Sequence, residues 1–232
     1  MSVVNAFAAD LDQAALNSGV ALDAGVSAAC ALHFGLLLRW NKTHNLTRIV
    51  EPAEAARKHY LDCLVPLLMA RSTGLEPASI VDVGSGAGFP GLFAALVWPK
   101  AQVTLWEPAQ KRLSFLVLAA EAMGVRVSAS PPLVTRAPSA SPLSPANISA
   151  PAKDSASCFD LVLSRATFSE GKRGELLRAA KCEIAVWGHP QDAVTWQAEV
   201  ATWGGWRASV RPYRVHGLEP RALLWACRGS ST

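Results

Sequence analysis

The chain has 232 residues, half of them hydrophobic, with a formal net charge of +4. That length and apolar content suffice for a full-sized core in one domain with an N-terminal extension, so folding requires neither a metal nor a disulfide framework. A pI near 8.9 permits a polyanionic partner without demanding one.

The five cysteines, Cys30, Cys63, Cys158, Cys182 and Cys227, are scattered without a C-x-x-C pair or a histidine at ligand spacing. They read as small buried residues, and no metal site is expected. The start, Met1-Ser2-Val3-Val4-Asn5, lacks the basic stretch and apolar run of a secretory signal. No uninterrupted apolar run reaches the length of about 18 residues that a membrane span needs. A cytoplasmic monomer with no membrane partner is therefore expected.

Residues 1–76 read as a helical extension and 77–232 as an α/β domain. Apolar residues at Phe7, Leu11, Ala14 and Ala15, then at Leu32, Leu36, Leu37 and Trp40, recur at helical spacing and predict two amphipathic helices. A third is predicted after Glu51-Pro52, where proline suits a first turn, running through Tyr60, Leu61, Leu64 and Leu68. Asn45 and Thr47 are predicted to cap it, while Trp40 and Leu46 fill core. Residues 1–30 carry no Lys or Arg, whereas 39–59 hold Arg39, Lys42, Arg48, Arg57 and Lys58 with His44 and His59. Such a block can track phosphates, or be a solvated helix face.

From Ser79 short β-prone runs alternate with helical stretches, the pattern of a parallel sheet covered on both faces. Strands are predicted at 79–83, 102–107, 132–136, 159–164 and 182–187, with helices at about 90–98, 109–123, 172–181 and 190–203. Trp206 to Tyr213 and Arg221 to Cys227 read as two terminal strands joined without a helix. Residues 137–157 are almost wholly Ala, Ser and Pro, too poor in large apolar groups to form core, and are expected to be a mobile surface insertion.

The strongest local signal is Ile80-Val81-Asp82-Val83-Gly84-Ser85-Gly86-Ala87-Gly88-Phe89-Pro90-Gly91, a buried strand entering a glycine-rich turn and then a helix. Gly84, Gly86 and Gly88 remove Cβ atoms where the main chain must turn sharply against a ligand. Asp82, just before the turn, can meet a cationic group. The run also contains Gly86-x-Gly88-x-x-Gly91, the dinucleotide fingerprint, so a nicotinamide or flavin site stays open. Against that reading, Pro90 removes an N–H that a pyrophosphate would use, and Asp82 would repel the pyrophosphate. Glu107 closes the second predicted strand about twenty residues on, where an acidic side chain can accept from ribose hydroxyls.

Several further segments fall in order: Trp40-Asn41-Lys42-Thr43-His44-Asn45-Leu46-Thr47, His59-Tyr60-Leu61-Asp62, Lys111-Arg112-Leu113-Ser114-Phe115-Leu116 and Ser164-Arg165-Ala166. With the 80–91 loop they resemble the RsmG family, once named glucose-inhibited division protein B, which methylates guanine N7 in the 530 loop of 16S ribosomal RNA. The resemblance spans residues 40–166. It implies a Rossmann-like class I methyltransferase fold, S-adenosyl-L-methionine as cofactor, and 16S rRNA or the small ribosomal subunit as partner. It also implies cofactor contacts from Gly84, Phe89 and Arg165, and from Ala137 and Pro138 after an arginine, here Arg136, that closes the third strand. Asp82, Gly86, Gly88 and Glu107 complete the cofactor set. Arg165 and Arg136 are the candidate catalytic residues, and Asn41, Lys42, Asn45, Lys111 and Arg112 the candidate RNA contacts.

Two departures stand out: Pro138 replaces the family's Glu, and Val186-Trp187-Gly188-His189 stands where the family has Leu-Lys-Gly, losing the lysine. They leave open a second reading, an RNA-binding or assembly factor that keeps the fold with weakened transfer. Guanine N7 offers an in-plane lone pair and no proton, so methyl transfer to it needs positioning and no general base. Arg165 would orient the base or cofactor by stacking and hydrogen bonding, and Arg136 would hold a backbone phosphate beside it.

Overall fold

The computed structural model describes residues 2–131, 159–165 and 172–229. Helix α1 (Val3–Asn17) is capped by Ser2, whose hydroxyl accepts from Asn5 N, and buries Phe7, Leu11, Ala14 and Ala15 as the spacing predicts. Helix α2 (Ala24–His44) buries Ala29, Cys30, His33, Phe34 and Leu37, while Leu32 is exposed. The buried stripe is thus rotated from the predicted one, because Phe34 stacks on Phe7 at 4.2 Å and draws its own face inward. Asn45 ends α2 in the left-handed conformation and caps nothing downstream. The next helix, α3 (Pro52–Ala55), is capped instead by Glu51, whose carboxylate accepts from Ala53 N and Glu54 N. A π-helical turn, Ala56–Leu61, joins α3 to α4 (Asp62–Ser72).

Seven strands follow in one sheet of order β3-β2-β1-β4-β5-β7-β6. They are β1 (Ser79–Val83), β2 (Gln102–Trp106), β3 (Val127–Ser130), β4 (Phe159–Ser164), β5 (Ala180–Gly188), β6 (Trp206–Tyr213) and β7 (Arg221–Arg228). Strands β1 to β5 are parallel, and β7 runs antiparallel to both β5 and β6. Helices α5 (Gly91–Val97), α6 (Gln110–Met123) and α7 (Ala193–Ala201) connect them. Apolar residues such as Ile80, Val81, Val83 and Leu161 to Leu163 are buried because a parallel sheet is covered on both faces.

Two connections depart from the sequence prediction. The third strand lies at Val127–Ser130, just past the left-handed Gly124 that ends α6, and pairs with β2 from Val103↔Val127 onward. Edge pairing with β2 outweighs the weak intrinsic β-propensity of Ser128-Ala129-Ser130; the predicted 132–136 falls outside the described residues. The predicted helix at 172–181 is a short 3-10 helix of two turns, Arg173–Arg178, because β5 already begins at Ala180.

The larger core cluster joins Phe7, Phe34 and Tyr60 of the helical extension to Phe93, Leu105 and Phe115 of the sheet region. A second, on the other face, gathers Val81, Val162, Ile184, Trp196 and Leu224. Cys30 and Cys63 are buried as expected, but Cys227 is half-buried and Cys182 is exposed, at the start of β5 where the pairing with β4 shifts register and Lys181 and Cys182 both face outward. Among the described residues no helix is long and apolar enough to cross a membrane, and no group of His, Cys, Asp and Glu is placed to hold a metal.

Candidate active site

Strand order reverses between β1 and β4, and in an open parallel sheet the crevice at the carboxyl ends of such strands is where ligands bind. The glycine loop follows β1 there, Glu107 follows β2, and Arg165 follows β4. Gly84, Gly86 and Gly88 all have positive φ, at 79°, 57° and 92°. The loop is anchored throughout. Gly84 N and Ser85 N donate to Trp106 O, Gly88 N donates to Ser85 O, and Gly86 N donates to Glu107 Oε2 at 2.9 Å. Glu107 is 2% exposed and its Oε1 accepts from Ala109 N, with Arg112 3.7 Å away in an ion pair.

Asp82 lies behind the loop at 0% exposure, where its Oδ2 accepts from Gly91 N at 3.0 Å and so fixes the start of α5. Its Oδ1 is buried without a hydrogen-bond partner among the described residues. A cationic group on the outer side of the loop would feel Asp82 across the backbone to the extent that its carboxyl is ionised. Burial pushes the Asp82 carboxyl up to about 7, against the opposing pull of the Gly91 N–H.

A raised carboxyl favours the fold below its unfolded value and loses that contribution as pH rises through about 7. Asp82→Asn keeps the acceptor for Gly91 but removes the titration. Its stability relative to the parent chain is expected to improve by roughly 3 kcal/mol between about pH 5 and about pH 8. Urea unfolding at both pH values checks this, and a constant difference would contradict the buried-charge account.

The helical extension supplies the opposite wall. Phe89, joined to Pro90 by a cis peptide, stacks on His59 at 4.9 Å and on Phe93 at 5.0 Å. Burial, and then the neighbouring Arg165 guanidinium, hold the His59 imidazole down at about 4, so it is neutral at physiological pH. Its Nε2 bonds Thr47 Oγ1 at 2.8 Å, and Thr47 N donates to Asn41 Oδ1 at 2.9 Å. Arg165 donates through Nη2 to Lys58 O at 2.6 Å and to Asp62 Oδ2 at 2.8 Å, with its guanidinium carbon 6.0 Å from the Phe89 ring centre.

The structure thus brings together Asp82, Gly84, Gly86, Gly88, Phe89, Glu107 and Arg165, with Asn41 linked to them through Thr47 and His59. Lys42, Asn45, Lys111 and Arg112 are exposed near this wall or along the first turn of α6. Arg136, Ala137 and Pro138 lie outside the described residues. Trp187, standing where the family has lysine, is buried and donates from Nε1 to Asp62 O at 2.7 Å.

Sequence reasoning missed two residues. His33, wholly buried in α2, bonds Tyr60 Oη at 2.7 Å through Nδ1 and Ala87 O at 2.9 Å through Nε2, so it ties the extension to the glycine loop. Asp62 is the other; only its place in a motif singled it out.

Strand order, a reversed β7 and a glycine loop at the switch point define the methyltransferase version of the doubly wound α/β fold. Its sheet is similar to the ribosomal protein L11 methylase of Lactobacillus delbrueckii subsp. bulgaricus, at a TM-score of 0.50 and 14% identity over 72% of this chain and 78% of that one. The chain belongs to the rRNA small subunit methyltransferase G family, whose profile matches residues 28–174. Relatives carrying that name include one from Lactococcus lactis subsp. cremoris, 41% identical over 93 residues, 40% of this chain and 39% of the relative. Another, from Sorangium cellulosum, is 45% identical over 109 residues, 46% of this chain and 44% of the relative. In both, the match spans less than half of the relative's length.

Proposed function

We propose that the chain transfers a methyl group from S-adenosylmethionine to N7 of a guanine in 16S ribosomal RNA. The observation that carries this reading is the juxtaposition at one switch point of the glycine loop, Glu107 and the Phe89–His59–Arg165 wall. The residues present fit the cofactor. A loop of positive-φ glycines lets main chain lie against it, we assign Glu107 at the end of β2 to the ribose hydroxyls, and Asp82, about half ionised near pH 7, adds partial negative charge behind the turn. When bound, the cofactor supplies an electrophilic methyl on a sulfonium.

Every other task falls to the chain. The loop's internal hydrogen bonds keep it in one shape before ligand arrives, which lowers the ordering cost of binding. Arg165 and Phe89 orient the target base, and no proton needs to be moved because N7 carries none. Asn41, Lys42, Asn45, Lys111 and Arg112 carry the RNA toward this wall, the cations by phosphate contact. A splayed base suits the site, since edges inside an A-form helix are hard to reach.

The test incubates the protein with labelled methyl donor and small ribosomal subunits lacking the modification, then maps N7-methylguanine by chemical cleavage. Label at one guanine is expected. Binding of S-adenosylhomocysteine without any transfer would favour the assembly-factor reading instead.

A further inference from the structure

Asp62 opens α4 directly after the π turn and is 4% exposed. Its carboxylate is a junction between distant parts of the chain. Oδ2 accepts from Arg165 Nη2 at 2.8 Å, Oδ1 accepts from Tyr213 Oη at 2.8 Å, and Arg221 Nε lies 3.7 Å from Oδ1. Its main-chain oxygen accepts from the Trp187 indole. The end of β5, both C-terminal strands and the residue after β4 thus converge on one residue at the start of α4, the last three of them on its carboxylate.

The second acceptor for Arg165, Lys58 O at 2.6 Å, sits in the π turn Ala56–Leu61. Single π turns are frequent at functional sites because they re-aim backbone groups that an α-helix would hold in line. With a carboxylate oxygen and a carbonyl oxygen both on Nη2, the guanidinium is held at one edge and its plane is set beside Phe89. Charge alone would not need this arrangement. A buried arginine is compensated by any nearby carboxylate, whereas here the Asp62 carboxylate is itself oriented by a neutral phenol from β6 and its main chain is held by an indole from β5.

We infer that Asp62 is a positioning residue for methyl transfer, fixing the Arg165 guanidinium against the Phe89 wall, with Tyr213 fixing Asp62 in turn. This rests on the methyltransferase reading of the site. It also gives the C-terminal strand pair a part in the reaction, although neither strand lies at the switch point.

Transfer to small ribosomal subunits is measured for the parent chain, Asp62→Asn, Tyr213→Phe, Arg165→Ala and the Asp62→Asn/Arg165→Ala double variant, alongside melting temperatures. Asp62→Asn is expected to lower kcat about 30-fold and Tyr213→Phe about fivefold, each with KM for the subunit unchanged. Adding Asp62→Asn to Arg165→Ala should lower the residual rate by less than about twofold, because residues acting through one group are not additive. Removing a buried charge partner can prevent folding. In that event Tyr213→Phe decides, since it deletes one hydroxyl and leaves every charge in place. Unchanged kcat in folded variants, or full additivity with Arg165→Ala, would overturn the positioning role alone. A parent chain that transfers no methyl group would overturn the function and this inference together.

Discussion

Gly88→Ala is expected to lower the free energy of unfolding by about 3 kcal/mol, and Gly86→Ala by no more than about 1 kcal/mol. Both glycines have positive φ, so both variants carry backbone strain. What separates them is where the new methyl would go. At Gly88 it would lie 2.4 Å from Leu92 Cδ1 and 3.3 Å from Leu116 Cδ2, both on wholly buried side chains with no room to retreat. At Gly86 the nearest atom is Gly84 O at 3.9 Å, so the methyl would project into open space at the carboxyl end of the sheet. Affinity should respond in the opposite order. Gly86→Ala is expected to weaken S-adenosylhomocysteine binding at least about tenfold by standing where the ligand approaches the main chain. Urea unfolding and calorimetry on both variants check the pair; equal losses of stability would show that the two glycines do not divide the work in this way.

That division also shows how far sequence reaches. The motif marked Gly84, Gly86 and Gly88 as a set because the spacing of strand, turn and helix is local, and local geometry is what a motif encodes. Which glycine faces core and which faces ligand depends on Leu92 and Leu116, and so on how α5 and α6 settle on the sheet. The positions of most strands were legible for a similar reason: buried strands announce themselves as short apolar runs, and β1, β2, β4 and the terminal pair fall where those runs lie.

His33 was invisible in sequence. Its partners Tyr60 and Ala87 are 27 and 54 residues away, and within α2 it occupies a position any core side chain could fill. Asp62 left a trace as the end of His59-Tyr60-Leu61-Asp62, but its role depends on Tyr213, 151 residues further on. The unpredicted strand at Val127–Ser130 and the cap supplied by Glu51 have one cause in common. Where intrinsic preference is weak, a neighbouring strand or a closer carboxylate settles the outcome.

Arg165→Ala is expected to lower methyl transfer at least about 100-fold while the chain stays folded. The argument turns on what the variant removes and what it leaves. It deletes the donor to Lys58 O and to Asp62 Oδ2, and with them the cation beside Phe89. Asp62 keeps Tyr213 Oη at 2.8 Å and Arg221 Nε at 3.7 Å, so the carboxylate is not stranded and collapse of the site is not expected. Arg165→Lys tests geometry against charge. An ammonium can donate to both acceptors from one nitrogen, as Nη2 does, but it has no plane to present beside an aromatic ring. It should therefore recover stability without recovering more than about a tenth of the rate. Full recovery by lysine would mean that Arg165 contributes charge alone, and the orientation of its guanidinium by the π turn and Asp62 would then have no bearing on transfer.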